Sequence, residues 1–138
     1  MTPPATGERL PEVTLGPFAP TDVARYAAAS GDSNPIHVDT TAAAAAGLSG
    51  PIVQGMLVMG HLVRLAEAWR ADAVVTMARV LFVRPIGVGE TLAVDGRVVA
   101  HQGGPPAWQC TVRLTARNDA GTIAAIVEAR LLDSQLGV

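Results

Sequence analysis

In the stretch YAAASGDSNPIHVD, residues 26–39, a carboxylate and an imidazole stand five residues apart, Asp32 and His37, with Asn34 and Pro35 between them. These are the side chains best suited to moving protons near neutral pH. Brought to one spot, they could hold and deprotonate a water, or pass its proton to carbon. A spacing of five does not place them on one helical face. Proline fixes its own φ and disfavours the α region for the residue before it, so the chain turns at Asn34-Pro35. Such a bend can bring the pair together. The plainer alternative is that Asp32 is a turn residue and His37 a satisfied surface imidazole.

A second feature lies in GPIVQGMLVMG, residues 50–60. Pro51 and then Gly55 precede a long apolar run that reads as a helix. A glycine at the helix entrance leaves its N–H unobstructed, and a helix N-terminus carries partial positive charge with free donors. Both suit the stabilisation of a developing oxyanion. Alternatively, Gly55 only permits close packing or a special dihedral.

The elements that must position these residues follow from pattern. PTDVARYAAASG predicts a helix capped by Thr21, with Asp22 in its first turn and Gly31 at its exit. Asp39 is expected to cap a second short helix that ends at Gly47. From Gly55 to Trp69 apolar residues are nearly continuous, which predicts a central helix surrounded by protein. The rest reads as strand. VTLGPFA (13–19) suits a short edge strand, and VVTMARVLFVRP stops at Pro85. TLAVDGRVVA places Leu92, Val94, Val98 and Ala100 on one face. AWQCTVRLTARN alternates best, with Trp108, Cys110, Val112, Leu114 and Ala116 inward. After the turn DAG (119–121), TIAAIVEARLLD is the last strand. Residues 1–12 read as loose and HQGGPP (101–106) as a flexible hairpin loop. Short antiparallel connections predict a meander wrapping the buried helix, an α+β arrangement.

The chain has 138 residues, which suits one domain over 1–138. Hydrophobic residues make up 49% and charged ones 16%, more apolar surface than a small monomer easily hides. That predicts an oligomer with an apolar interface. The net charge is −2, the pI is about 5.8, and no basic run is present, which argues against nucleic acid as a partner. The single cysteine, Cys110, cannot form an internal disulfide. The start lacks a signal-peptide pattern. The most apolar window, Ile52 to Ala68, is interrupted by Gln54, His61, Arg64 and Glu67, so no membrane partner and a cytoplasmic location are expected.

Together, YAAASGDSNPIHVD and GPIVQGMLVMG resemble the signature of the MaoC-like (R)-specific enoyl-CoA hydratases and dehydratases, which have the hot dog fold. RPIGVGETL resembles the family's Pro-Val-x-x-Gly-Asp segment, and the resemblance covers roughly residues 13 to 133. It implies a single hot dog domain, an antiparallel sheet wrapped around a central helix, and a likeness to proteins that form homodimers. It further implies reversible hydration of trans-2-enoyl thioesters without a metal or redox cofactor. Coenzyme A or a carrier protein's phosphopantetheine would enter as part of the substrate. Carried over by motif, Asp32 and His37 form the catalytic pair, the Gly55 N–H binds the thioester carbonyl, and Asn34 braces the pair. Gln54 stands where the family often has histidine. Met56 and Met59 fit core packing or pocket lining, and Arg84 fits a solvated position or one beside a coenzyme phosphate. Near Val63 some relatives carry a hydroxyl that this chain lacks, although His61 lies close by. The rival readings are a dehydratase acting on an acyl carrier protein, a thioesterase and a non-catalytic subunit of a heterodimer. Against the thioesterase, Glu67 lies too far along the helix. Against the helper subunit, Asp32 and His37 are both present.

Overall fold

The computed structural model describes residues 2–105 and 107–134. In chain order the elements are β1 (Arg9–Leu15), α1 (Pro20–Ser30), a 3-10 turn (Pro35–His37), α2 (Thr40–Ala45) and α3 (Gly55–Trp69). Four strands follow: β2 (Ala73–Phe82), β3 (Leu92–Gly104), β4 (Ala107–Arg117) and β5 (Ile123–Asp133). All pair antiparallel in one five-stranded sheet of order β1-β3-β4-β5-β2. The sheet packs against α3, giving the hot dog arrangement.

Alternation dictates which sheet face meets the helix. Trp108, Cys110, Val112, Leu114 and Ala116 of β4 are all buried, as the period of two requires. They share a core with Val58, Leu62 and Ala66 of α3 and with Ala125, Val127, Ala129 and Leu131 of β5. Each fully buried Val or Leu side chain contributes about 1.5–3 kcal/mol by leaving water.

Several expectations need correction. The strands do not form a simple meander: β3, β4 and β5 are sequential neighbours, but β2 crosses to the far edge and pairs with β5. Residues 9–12, expected to be loose, open β1, and Leu10 is buried in the core. HQGGPP is not a loop through its length. His101 to Gly104 continue β3 in register with Ala107 to Cys110, while Pro106 lies outside the described residues. Ala100 is exposed, because the register shifts between Val98 and Ala100. The extra residue, Val99, reverses the faces beyond it. Thr21 does not cap α1. Pro20 occupies the first turn and the Asp22 carboxylate accepts from the Ala19 N–H at 2.9 Å. Finally, α3 is enclosed on one side only. Met56, Gly60, His61, Arg64 and Glu67 are exposed on the other.

The exit of α1 and the cap of α2 match expectation, while α2 itself ends at Ala45. Gly31 takes φ 79° at the end of α1, a left-handed conformation costly for other residues. Asp39 Oδ1 accepts from the N–H groups of Thr41 and Ala42 at the start of α2. No helix among the described residues is long and apolar enough to cross a membrane.

Candidate active site

The segment between α1 and α2 is built from side-chain-to-backbone bonds. Ser30 Oγ accepts from the Asp32 N–H at 3.1 Å, and Asp32 Oδ1 accepts from the Asn34 N–H at 3.4 Å. Asn34 Oδ1 accepts from the Ile36 N–H at 3.2 Å and so caps the 3-10 turn that begins at Pro35. These short acceptors stabilise a bend that proline alone would only permit. The turn carries His37 inward, to 8% exposure.

His37 is held from the other side by an extended strap, residues 51–53. The Ile52 N–H donates to the Ile36 carbonyl at 3.2 Å, and the Val53 N–H donates to the Ile86 carbonyl at 2.8 Å. The Val88 N–H donates to the Pro51 carbonyl at 2.9 Å, so the strap is pinned on both edges. Its Ile52 carbonyl lies 2.7 Å from His37 Nδ1. A carbonyl can only accept, so Nδ1 carries the hydrogen and Nε2 is left to face the site. Nε2 lies 3.4 Å from Asp32 Oδ2, and the Asp32 side chain is 45% exposed. The bend thus brings the two groups together. With Nδ1 committed, neutral His37 presents a lone pair beside a carboxylate oxygen. Two such acceptors can receive both hydrogens of one water, or one can pass a proton that the other holds.

α3 begins beside the same cavity. Gln54 stands at its N-cap, and its carbonyl accepts from the N–H groups of Leu57 and Val58 at 3.1 and 3.3 Å. The Gly55 and Met56 N–H groups precede the helical ladder and have no partner among the described residues. The cavity is about 460 Å³, and Asp32, Ile52, Gly55, Met56, Phe82 and Arg84 are among its lining. A second cavity of similar volume lies between α1 and α3, against Arg25, Tyr26, Leu57 and His61. There the His61 ring meets Phe18 edge-on at 5.8 Å. Asp22 also lines this second cavity, but its carboxylate accepts from the Ala19 N–H, and no ion pair joins it to His61 among the described residues, so the first cavity is the one suited to proton transfer.

The residues singled out in the sequence separate into two groups. Asp32, Gly55, Met56 and Arg84 line one cavity, with His37 beside Asp32. Gln54 does not line it. Its side chain is buried, and its Nε2 donates to the Val23 carbonyl at 3.0 Å, tying α1 to α3. Gln54 Oε1 is buried with no partner among the described residues. Met59 packs against the core, and Asn34 serves its own turn. Cys110 is buried, which pushes its thiol up to about 11 and keeps it protonated. Among the described residues no group of three or more His, Cys, Asp or Glu side chains is placed to hold a metal.

Two residues of the site were not anticipated. Ile52 acts through its carbonyl, which no side-chain pattern announces. Phe82, at the end of β2, lies against Gly55: a Cβ placed there would be 2.7 Å from Phe82 Cζ. The available signal was an aromatic residue in a chain with only two phenylalanines, directly before the apolar-Arg-Pro stop at 83–85.

Comparison with known proteins bears on the family and the fold. The family model described as MaoC like domain matches residues 3–118. Over 82 residues the chain is 40% identical to a fatty acid synthase subunit beta from Gibberella zeae, a match covering 56% of this chain and 4% of that one. Each curated relative compared is spanned over half its length or less. Among solved structures, the ChsH1-ChsH2 complex from Mycobacterium tuberculosis superposes with a TM-score of 0.82 at 25% identity. That alignment covers 94% of this chain and 98% of the other. An (R)-hydratase from A. caviae involved in PHA biosynthesis superposes with a TM-score of 0.81 at 25% identity, covering 92% and 95%.

Proposed function

From the premise that the chain belongs to the MaoC-like domain family, we propose that it catalyses the reversible, (R)-specific hydration of trans-2-enoyl thioesters to (R)-3-hydroxyacyl thioesters. The observation that carries this reading is the His37–Asp32 pair at 3.4 Å, with Nδ1 anchored on Ile52 and Asp32 lining the same cavity as Gly55, whose N–H has no partner among the described residues. Conjugate addition needs these parts. A water held between Asp32 and His37 gives up a proton as its oxygen bonds to C3. The electrons of the double bond move towards the thioester oxygen, where the Gly55 N–H stabilises the enolate. A proton delivered to C2 then restores the carbonyl, so the sum is one water added across the double bond. Because only water and protons move, the reaction calls for no metal or redox group. Coenzyme A or a carrier-bound phosphopantetheine serves as the substrate's handle.

The same reading includes a homodimer joined through the free edge of β2. Leu81 (61%) near the end of that edge strand and Val83 (52%) just beyond it are exposed apolar residues that a second copy would cover. Sedimentation giving a monomer at micromolar concentration would remove the dimer from the proposal.

The reaction is tested by following loss of the enoyl chromophore with crotonyl-CoA, longer enoyl-CoAs and the same acyl groups on a carrier protein. Turnover that yields the (R)-3-hydroxy product is expected with at least one handle. Turnover only on the carrier favours the carrier-protein dehydratase. Absence of turnover with every substrate, in a folded protein, favours the non-catalytic subunit and sinks the proposal.

A further inference from the structure

Gly55 and Phe82 belong to different elements, the start of α3 and the end of β2, and the ring rests on the glycine. A Cβ at residue 55 would lie 2.7 Å from Cζ and 3.0 Å from each Cε of Phe82. Gly55 is not among the glycines with positive φ, so its conformation is open to any residue. What the position requires is the missing side chain, because the ring tip occupies the space a Cβ would take. The ring therefore bounds the room immediately beside the unpaired Gly55 N–H.

An oxygen accepting from that N–H carries its carbon, and the carbon's other two substituents, into the bounded space. In a thioester those are the sulfur and the acyl Cα. The sulfur bears no branch, and the handle beyond it does not vary with the acyl group. Only Cα differs in width among substrates. We propose that Phe82 is a specificity-determining residue whose ring, seated on Gly55, admits 2-enoyl thioesters unbranched at Cα and discriminates against those with a 2-methyl group. This deepens the hydratase reading and rests on it. Phe82 is 46% exposed and lies outside the buried core cluster, so its side chain can be shortened without opening the interior.

The test compares kcat/KM for crotonyl and 2-methylcrotonyl thioesters, on the handle the wild type accepts, in wild type, Phe82→Leu and Phe82→Ala. The wild type should favour the unbranched substrate by about 10–200-fold, the range one methylene or methyl commands in a fitted pocket. The ratio should fall at least about tenfold in Phe82→Ala and less in Phe82→Leu. An unchanged ratio in Phe82→Ala overturns the specificity role. If the wild type hydrates neither substrate, the reaction is wrong and the specificity claim falls with it. A second arm does not depend on turnover. Gly55→Ala should lower the melting temperature by about 3–6 °C in wild type, where the methyl meets the ring, and leave it unchanged or higher in a Phe82→Ala background. Equal shifts in both backgrounds would show that the ring is not seated on Gly55, whatever the activity.

Discussion

The two ends of α3 are finished in opposite ways. At the C-terminal end, Arg70 is 8% exposed and every part of it is engaged. Its N–H closes the helix on the Ala66 carbonyl at 3.2 Å. Its guanidinium donates to both Asp72 oxygens at 2.8 and 2.7 Å and to the Thr2 carbonyl at 3.1 and 3.2 Å. It also lies 4.7 Å from the centre of the Trp108 ring. At the N-terminal end, two backbone donors have no partner among the described residues, a carboxylate is half exposed, and a glycine stands where the Phe82 ring leaves no room for a side chain. A helix whose termini both resembled Arg70 would be more stable and chemically inert. The open end is where binding and catalysis have donors to use.

If the division is real, variants at the open end should remove turnover and spare the fold. The largest effect is expected at the pair itself. Asp32→Asn and His37→Ala should each lower kcat by at least about a hundredfold. Urea unfolding should change little for Asp32→Asn, whereas stability should fall by about 1–3 kcal/mol for His37→Ala, which leaves the Ile52 carbonyl unpaired. Near-normal turnover in either variant would exclude that residue from the mechanism.

A smaller but more diagnostic effect is expected at Gly55. Proline there removes the N–H and is tolerated in the first turn of a helix. Loss of one preorganised oxyanion donor costs about 10²–10³ in turnover. Alanine retains the donor but displaces Phe82, so it measures crowding alone. Gly55→Pro should therefore fall well below Gly55→Ala in kcat, and the gap should persist in a Phe82→Ala background. Equal losses would assign Gly55 a purely steric role.

At the closed end the expected loss is in stability. Arg70→Ala strands Asp72 and uncovers Trp108, and about 2–4 kcal/mol should be lost in urea denaturation while kcat per folded molecule is unchanged. The Arg70 hydrogen bonds hold the Asp72 carboxyl below its usual value of 3.8. Between the lowered folded value and the unfolded one, the unfolded chain binds more protons, so this contribution rises with pH. It is complete above the ordinary carboxylate range and is lost as pH falls through the folded value. The stability gap between wild type and Arg70→Ala should accordingly be widest near neutrality and narrow below about pH 4. A gap constant down to pH 3 would contradict the assigned role of Asp72.

These two ends also differ in how far the sequence discloses them. Asp32, Asn34 and His37 are legible because a local bend, with its caps and proline, joins them within a few residues. β4 is legible because its alternation is uninterrupted. The Arg70 knot is not, since Thr2 and Trp108 reach it from distant parts of the chain and neither carries a local mark. The same holds for Ile52, whose contribution is a backbone carbonyl, and for Phe82, whose partner is the absence of a side chain. The misplaced Ala100 has another cause. One extra residue in β3 shifts a period-two pattern by one, and nothing in VDGRVVAH announces the insertion.

The position of β5 in the sheet bears on how the chain is made. Its residues 123–133 fill the slot between β4 and β2, although β2 ends at residue 82. Until β5 leaves the ribosome, β2 has no neighbour within the chain, and α3 has only part of its sheet to pack upon. Closure of the domain thus waits until residues 123–133 have been translated. A nascent chain that stops before Ile123 presents an unpaired strand and an uncovered apolar helix, the surfaces that chaperones bind. For this topology the loss of β5 unpairs two strands at once, β4 on one side and β2 on the other.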